Sequence, residues 1–143
     1  MANIGFELPE VNISWLRGDT LNLKILQLSE KEGETKIPIH IGDRSWKMHL
    51  RSGEHSGTLV KSFGPLNFYF GQSQEAIDYD TQEGNPPGTT QDELHVQETA
   101  ENMRFDSGTY LFDLEAKKGD NIQTFYGGSF HLRPDVTREA VHE

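Results

Sequence analysis

Histidines and carboxylates are the residues of this 143-residue chain that could support a reaction or hold a metal ion. The six histidines show neither the His-x-His nor the His-Glu-x-x-His spacing that brings two imidazoles to one metal. The 23 acidic residues offer many pairs of general acid and base, but no spacing singles out one pair. A zinc site assembled from scattered strands stays open only as a minor alternative.

The stretch DYDTQEG is the best candidate for a calcium-binding loop. Asp78, Asp80 and Gln82 alternate in the way that oxygen ligands do in an EF-hand. However, Gly84 comes one position late, and Thr89 stands where the bidentate glutamate belongs. The match to an EF-hand loop therefore fails, and only a looser oxygen site stays open.

Nucleophiles and phosphate-binding loops are also missing from the sequence. There is no cysteine, which excludes a thiolate nucleophile, a thiolate metal site and a disulfide. No Gly-x-Ser-x-Gly elbow occurs, and YGGSF lacks the strand-to-helix context that such an elbow needs. Neither glycine-rich phosphate-binding pattern is present. We therefore predict that the protein is not an enzyme and holds no metal or cofactor.

The charge balance limits the partners. Thirteen basic and 23 acidic residues give a net charge of −10, which a phosphate backbone repels. No apolar run reaches the 18 or so residues of a membrane span, and MANIGFELPEVN has no secretory apolar region. We expect neither nucleic acid nor membrane as a partner, and synthesis in the cytoplasm.

Alternation of apolar and polar residues dominates the chain and predicts strands with one buried face. Such strands are typical of antiparallel sheets. Paired Gly127-Gly128 predicts a bulge in the last strand, and KKGDN predicts a tight hairpin before it. About seven strands predict an all-β sandwich. The alternating segments are TLNLKIL, SWKMHLRS, LNFYF, TYLFDLEA and NIQTFYGGSFHL.

The stretch DSGTYLF predicts an immunoglobulin-like sandwich. Asp106, Gly108 and Tyr110 match the Asp-x-Gly-x-Tyr pattern of a tyrosine corner, in which the tyrosine hydroxyl bonds back to upstream backbone. Phe112 then stands where an antibody domain has its second cysteine.

An apolar cluster is expected to replace the disulfide of that fold. Ile25 or Leu23 takes the place of the first cysteine, and Trp46 that of the core tryptophan. Phe130 of the closing strand completes the predicted core. An accidental turn before an ordinary strand is the alternative reading of DSG.

Arg17-Gly18-Asp19 matches the tripeptide that adhesive proteins present to cell-surface receptors. A receptor motif needs the tip of a mobile loop, whereas this one leads directly into Leu21 and Leu23. Glycine supports a turn there, and an aspartate can bond backbone two residues on. We therefore interpret the tripeptide as a structural turn.

The chain is predicted to be one domain, residues 1–143, with three less regular parts. Residues 72–92 form an acidic loop, and residues 1–11 and 134–143 form extended terminal arms. The arms and the loop carry the candidate partner contacts Phe6, Leu8, Tyr79 and Val136.

Several of these segments together resemble the immunoglobulin-like structural proteins of tailed bacteriophages. The nearest family is the N-terminal β-sandwich of baseplate upper proteins and related small tail proteins. The resemblance covers roughly residues 12–138, but the middle of the chain departs from the family pattern. The matching positions are Arg17–Thr20, Arg51, Gly108–Glu115, Gly128–Phe130 and Asp135–Arg138.

The resemblance implies a virion component, an oligomeric scaffold or adaptor module of the tail, baseplate or neck that contacts other virion proteins and copies of itself. A capsid decoration protein is one alternative. A receptor- or glycan-binding module of a tail fibre is another, with the 72–92 loop or the outward Tyr69 of LNFYF as its contact.

Overall fold

The computed structural model describes residues 10–52 and 57–134. Within these ranges the chain forms ten β-strands, one α-helix and two short 3₁₀ helices, Pro65–Asn67 and Glu101–Met103. The strands are β1 (Glu10–Leu16), β2 (Leu21–Gln27), β3 (Ser29–Glu32), β4 (Thr35–Pro38), β5 (Ser45–Arg51), β6 (Leu59–Phe63), β7 (Phe68–Gly71), β8 (Glu93–Glu98), β9 (Gly108–Lys118) and β10 (Asn121–Arg133); the helix is α1 (Gln74–Glu83).

Two sheets pack into a sandwich. The larger has the strand order β1-β10-β9-β5-β6 and the smaller has the order β2-β8-β7. These two facing sheets confirm the predicted all-β sandwich. Ten strands are present in the described residues instead of about seven, because short edge strands and a separate β3-β4 hairpin are added.

One pairing departs from the antiparallel rule. β1 runs parallel to β10, so that Glu10 lies beside Gly127 and Leu16 beside Arg133. Parallel neighbours need a long connection, and here nearly the whole domain supplies it. Glu10 and Val11, assigned to the N-terminal arm from sequence, therefore belong to the larger sheet. The rest of that arm, with Phe6 and Leu8, and Val136 of the C-terminal arm lie outside the described residues.

The core lies between the two sheets as one continuous apolar cluster. Alternation along the strands turns one set of side chains inward, and full burial of a large apolar side chain contributes about 1.5–3 kcal/mol. The largest fully buried side chains are Trp46, Phe63, Phe130, Leu21, Ile41, Met48, Leu50 and Leu94.

The hairpin predicted from KKGDN joins β9 to β10. Its loop is Gly119-Asp120, with Gly119 at a φ of +61° that glycine adopts without steric cost. The bulge of β10 lies between Thr124 and Tyr126, not at the paired glycines. Gly127 instead stays in register opposite Asp113.

Residues 72–92 do not form the single long loop that their polarity predicts. Ten of them form α1, because Ser73 caps its first turn by accepting a hydrogen bond from the Ala76 amide at 3.1 Å. Gly84, at a φ of +74°, ends the helix in the left-handed conformation. No helix of the described residues is long and apolar enough to cross a membrane.

Candidate interaction surfaces

The tyrosine corner predicted from DSGTYLF is present at the start of β9. The buried Tyr110 donates its hydroxyl hydrogen to the carbonyl oxygen of Asp106. Burial, together with the negative charge of Asp106, raises the pKa of Tyr110. The sequence pattern predicts a core position for Asp106, but its side chain is exposed and only its backbone serves the corner.

The predicted core residues lie together at the centre of the sandwich. Ile25, Trp46, Phe112 and Phe130 all belong to the single core cluster. Trp46 donates its indole N–H to the Ile41 carbonyl at 3.3 Å, and its ring lies 5.1 Å from that of Phe125. Apolar packing therefore occupies the place of the disulfide.

The Arg-Gly-Asp tripeptide forms the turn between β1 and β2. The Asp19 amide donates to the Leu16 carbonyl at 3.1 Å, and Gly18 has a φ of +87°. The Arg17 guanidinium donates to the carbonyls of Phe105 at 2.9 Å and Arg104 at 3.3 Å. The arginine thus ties this turn to the segment that leads into β9.

Replacement of Gly18 by alanine is expected to lower the free energy of unfolding by more than about 1 kcal/mol. The positive φ strains any L side chain, and a Cβ atom there would lie 3.0 Å from the Arg104 guanidinium. Gly33→Ala is the control, because Gly33 has a similar φ of +66° and open space around it. Urea unfolding followed by circular dichroism should show the larger loss for Gly18→Ala; equal losses would show that Arg104 yields freely.

Two buried aspartates hold the 72–92 stretch in place. The Asp80 carboxylate accepts hydrogen bonds from Gln72 at 2.7 Å, from Asn85 at 3.2 Å, and from both the amide and the hydroxyl of Thr90 at 2.9 and 2.7 Å. Burial acts to raise its pKa, but these hydrogen bonds outweigh that effect and lower the pKa to about 2. Asp80 is therefore a structural carboxylate and not the calcium ligand considered from sequence.

Asp92 holds the start of α1 through hydrogen bonds to Ser73. Its carboxylate accepts from the Ser73 amide at 2.8 Å and from the Ser73 hydroxyl at 2.5 Å. Ser73 in turn caps the helix at Ala76.

Tyr79, a predicted partner contact, is half-buried on α1 beside a shallow groove against β4, so it is not at a loop tip.

A polar cluster covers the outer face of the smaller sheet. The rings of Tyr69 and His95 stack 4.8 Å apart, and the Tyr69 hydroxyl donates to Asn22 at 2.7 Å. Glu93 lies 3.2 Å from the His95 ring nitrogen and 3.5 Å from the Lys24 ammonium. These groups bond to one another, and no group of three metal-ligating side chains occurs in the described part of the chain.

A third carboxylate with several donors, Glu98, is half-buried at the end of the smaller sheet. It accepts from the Lys61 ammonium at 2.7 Å, the Thr99 amide at 2.9 Å, and the side-chain amides of Asn102 and Asn67 at 3.1 Å each. Burial acts to raise its pKa, but the hydrogen bonds, that of Lys61 foremost, lower it to about 2. The contact links the edge strand β6 to the smaller sheet.

Stability is expected to fall as the pH drops from about 4.5 towards 2. Because the pKa of Glu98 is depressed on folding, its stabilising contribution is complete above the ordinary value of 4.5 and is lost towards about 2. Glu98→Gln should flatten this part of a plot of melting temperature against pH. Lys61→Met should make the loss smaller and end it at a higher pH, because it raises the folded-state pKa of Glu98 towards 4.5. An unchanged plot for both variants would contradict the assignment.

Large apolar side chains are exposed at three separate places. Leu66, in the turn before β7, is 96% exposed beside a groove lined by Thr20, Asn67 and Glu98. Ile77 is exposed on α1. Leu59, Leu111 and Ile122 are exposed on strands of the larger sheet. The sequence pattern assigns none of these residues to a contact, because exposure of a leucine or isoleucine depends on register and on neighbouring strands.

Comparison with known proteins adds no family to these observations. No family model matches the chain, and no curated protein matches it significantly.

Proposed function

We propose that the protein is a non-enzymatic structural protein of a tailed-phage virion, made in the host cytoplasm and carried in the particle. It serves as a scaffold or adaptor module in the tail, baseplate or neck, and it acts through contacts with other virion proteins and with copies of itself. The phage assignment is supported by the segments that resemble baseplate and small tail proteins, above all Arg17–Thr20 and Gly108–Glu115.

The observation that carries the contact role is the exposure of large apolar side chains at three separate places on a small acidic domain. Leu66 is nearly fully exposed, and Ile77 and Leu111 lie on different elements at 42% and 41% exposure. Single exposed apolar residues are common on monomers. Because Leu66, Ile77 and Leu111 lie on different elements, they can contact different neighbours in an assembly.

The proposal is tested in particles of the phage that encodes the chain. Mass spectrometry of purified virions should find the protein in a fixed copy number, and immunogold labelling should place it on the tail. Leu66→Ser should reduce incorporation in a complementation assay without changing the melting temperature, whereas Glu32→Ser, at an exposed polar position, should not. Absence from virions would overturn the proposal, and label on the head would favour a capsid decoration protein.

A receptor- or glycan-binding module is the second candidate, and the Tyr69-His95 stack is the observation that favours it. Aromatic rings on a sheet face can stack against sugars or peptide side chains. However, the Tyr69 hydroxyl and the His95 ring nitrogen already bond to Asn22 and Glu93. If this candidate holds, the purified protein blocks phage adsorption to host cells and Tyr69→Ala abolishes the block.

A further inference from the structure

The outer face of the larger sheet carries two columns of opposite charge. Along β5 and β9 the buried residues alternate with residues that point away from the core. The middle of the outward β5 column is basic and that of the β9 column is acidic. From one end to the other, β5 presents Lys47, His49 and Arg51, and β9 presents Glu115, Asp113 and Leu111 directly beside them.

These neighbouring charged side chains form no ion pairs with one another within the described part of the chain. No ion pair there joins Lys47 to Glu115, although they lie in register. Among the described residues, Arg51 donates only to the backbone carbonyl of Gly57, at 3.3 Å. Charged side chains on a sheet face that make no internal pair can meet a second surface.

We infer that this outer face binds the same face of a second copy of the chain around a two-fold axis that lies between β5 and β9 and runs along the strands. Rotation about that axis exchanges the two columns and preserves the level along the strand. Lys47 of each copy then faces Glu115 of the other, and His49 faces Asp113. At one end the aliphatic stem of Arg51 covers Leu111, and at the other end Lys117 meets Ser45, so no like charges are opposed.

The charge of the face explains why a second copy fits it. The whole chain carries a net charge of −10, so most approaches of two copies are repulsive. The outer face, in contrast, carries Lys47, Arg51 and Lys117 against Asp113 and Glu115. This near balance makes it a place where two copies of an acidic protein can meet, and complementary columns fix their register.

The shape and apolar content of the face agree with such contact. Beside the outward positions Glu115, Asp113 and Leu111 of β9, the residues of β10 are small; they are Thr124, Gly127 and Ser129. Exposed apolar side chains flank the charged middle, with Leu59 beside Arg51 and Ile122 beside Lys117. Pairing about this axis would cover Leu59 and Leu111 in both copies, whereas Ile122 lies beyond the end of β6.

The expected affinity is modest. About this axis the strands β10, β9, β5 and β6 of the two copies overlap. Four strands about 4.8 Å apart and about 23 Å long give a footprint of roughly 440 Å² per copy. This is below the approximately 800 Å² per partner of a standard stable interface. We therefore expect a dimer with a dissociation constant in the micromolar range that is weakened by salt. Most chains would be dimeric only where copies are concentrated.

Charge reversal at two positions tests both the contact and its geometry. Lys47→Glu alone sets a glutamate against Glu115 twice in each dimer, and Glu115→Lys alone opposes two lysines in the same way. Each variant should raise the dissociation constant at least about tenfold in sedimentation velocity. An equimolar mixture of the two variants should dimerise again, because each copy then supplies the charge that the other lacks. Pairing within one chain cannot produce this rescue.

The inference deepens the proposed function, since it names a copy of the chain as one partner, but its test is independent of any phage particle. A wild type that stays monomeric up to about 1 mM, or a mixture that stays monomeric, overturns the inference and leaves the virion test untouched. Leu111→Lys is a second variant that leaves both charge columns in place and sets a lysine against Arg51. It should also weaken the dimer, and an unchanged dissociation constant would contradict the geometry. Circular dichroism checks that each variant is folded.

Discussion

Replacement of Trp46 by alanine is expected to lower the free energy of unfolding by about 3–5 kcal/mol. The indole is only 1% exposed, packs against Phe125, and donates to the backbone carbonyl of Ile41. Truncation removes its apolar contacts and leaves a cavity between the two sheets. The cavity cannot collapse, because hydrogen bonds hold the strands of each sheet in place. Total stabilities are about 5–15 kcal/mol, so this single change is expected to remove a large share of the stability of the fold.

The other tryptophan provides the matched control. Trp15 of β1 is half-buried, and its indole N–H is buried without an acceptor among the described residues. Trp15→Phe removes that unsatisfied donor and should be neutral or slightly stabilising. Trp46→Phe, in contrast, removes a satisfied donor and should destabilise. Guanidinium denaturation followed by far-UV circular dichroism measures all three variants; equal effects of the two phenylalanine variants would contradict this account.

Asp80→Ala is expected to loosen the whole 72–92 stretch. The substitution leaves the amide and hydroxyl of Thr90 and the side-chain amides of Gln72 and Asn85 without their shared acceptor. Buried donors without an acceptor are costly, and we expect a fall in melting temperature of roughly 5–15 °C. Relative to the wild type, amide hydrogen exchange should accelerate more at residues 74–92 than elsewhere in the chain, because the network is local.

The control for that experiment lies on the same helix. Asp78 is exposed, and among the described residues its carboxylate accepts only from Gln74, at 3.0 Å. Asp78→Ala removes the same charge from the same element and should change the melting temperature by little. If the two alanine variants behave alike, the effect belongs to the charge of the helix and not to the hydrogen bonds of Asp80.

The parts of the fold that could be predicted from sequence are those in which residues close together in the chain determine a contact or a buried face in the folded structure. Tyr110 follows Asp106 and Gly108 at fixed spacing, and this spacing places its hydroxyl on upstream backbone. Alternation in β5 and β9 indicates which side chains are buried, since period two relates each residue to its face. The turn at Gly119 follows from glycine between two such runs.

The helix and the interaction surfaces could not be predicted in the same way. α1 has few apolar residues, and only Ala76 and Asp80 are buried, so it lacks the apolar stripe that marks a helix. Its order depends on Asp92 and Thr90, which follow it in the chain. Likewise, Lys47 and Glu115 become neighbours only through the register of β5 with β9, which no local pattern contains.

The pairing of β1 with β10 has a consequence for how the protein is made. Glu10 pairs with Gly127, so the first described strand leaves the ribosome long before its partner is translated. At about 5–20 residues per second, β1 waits for roughly 6–25 s. During that time β1 has no partner strand, because β10 is its neighbour in the larger sheet. Completion of the larger sheet therefore waits for the translation of β10, and a nascent chain released before β10 retains an unpaired strand that is open to chaperones and proteases.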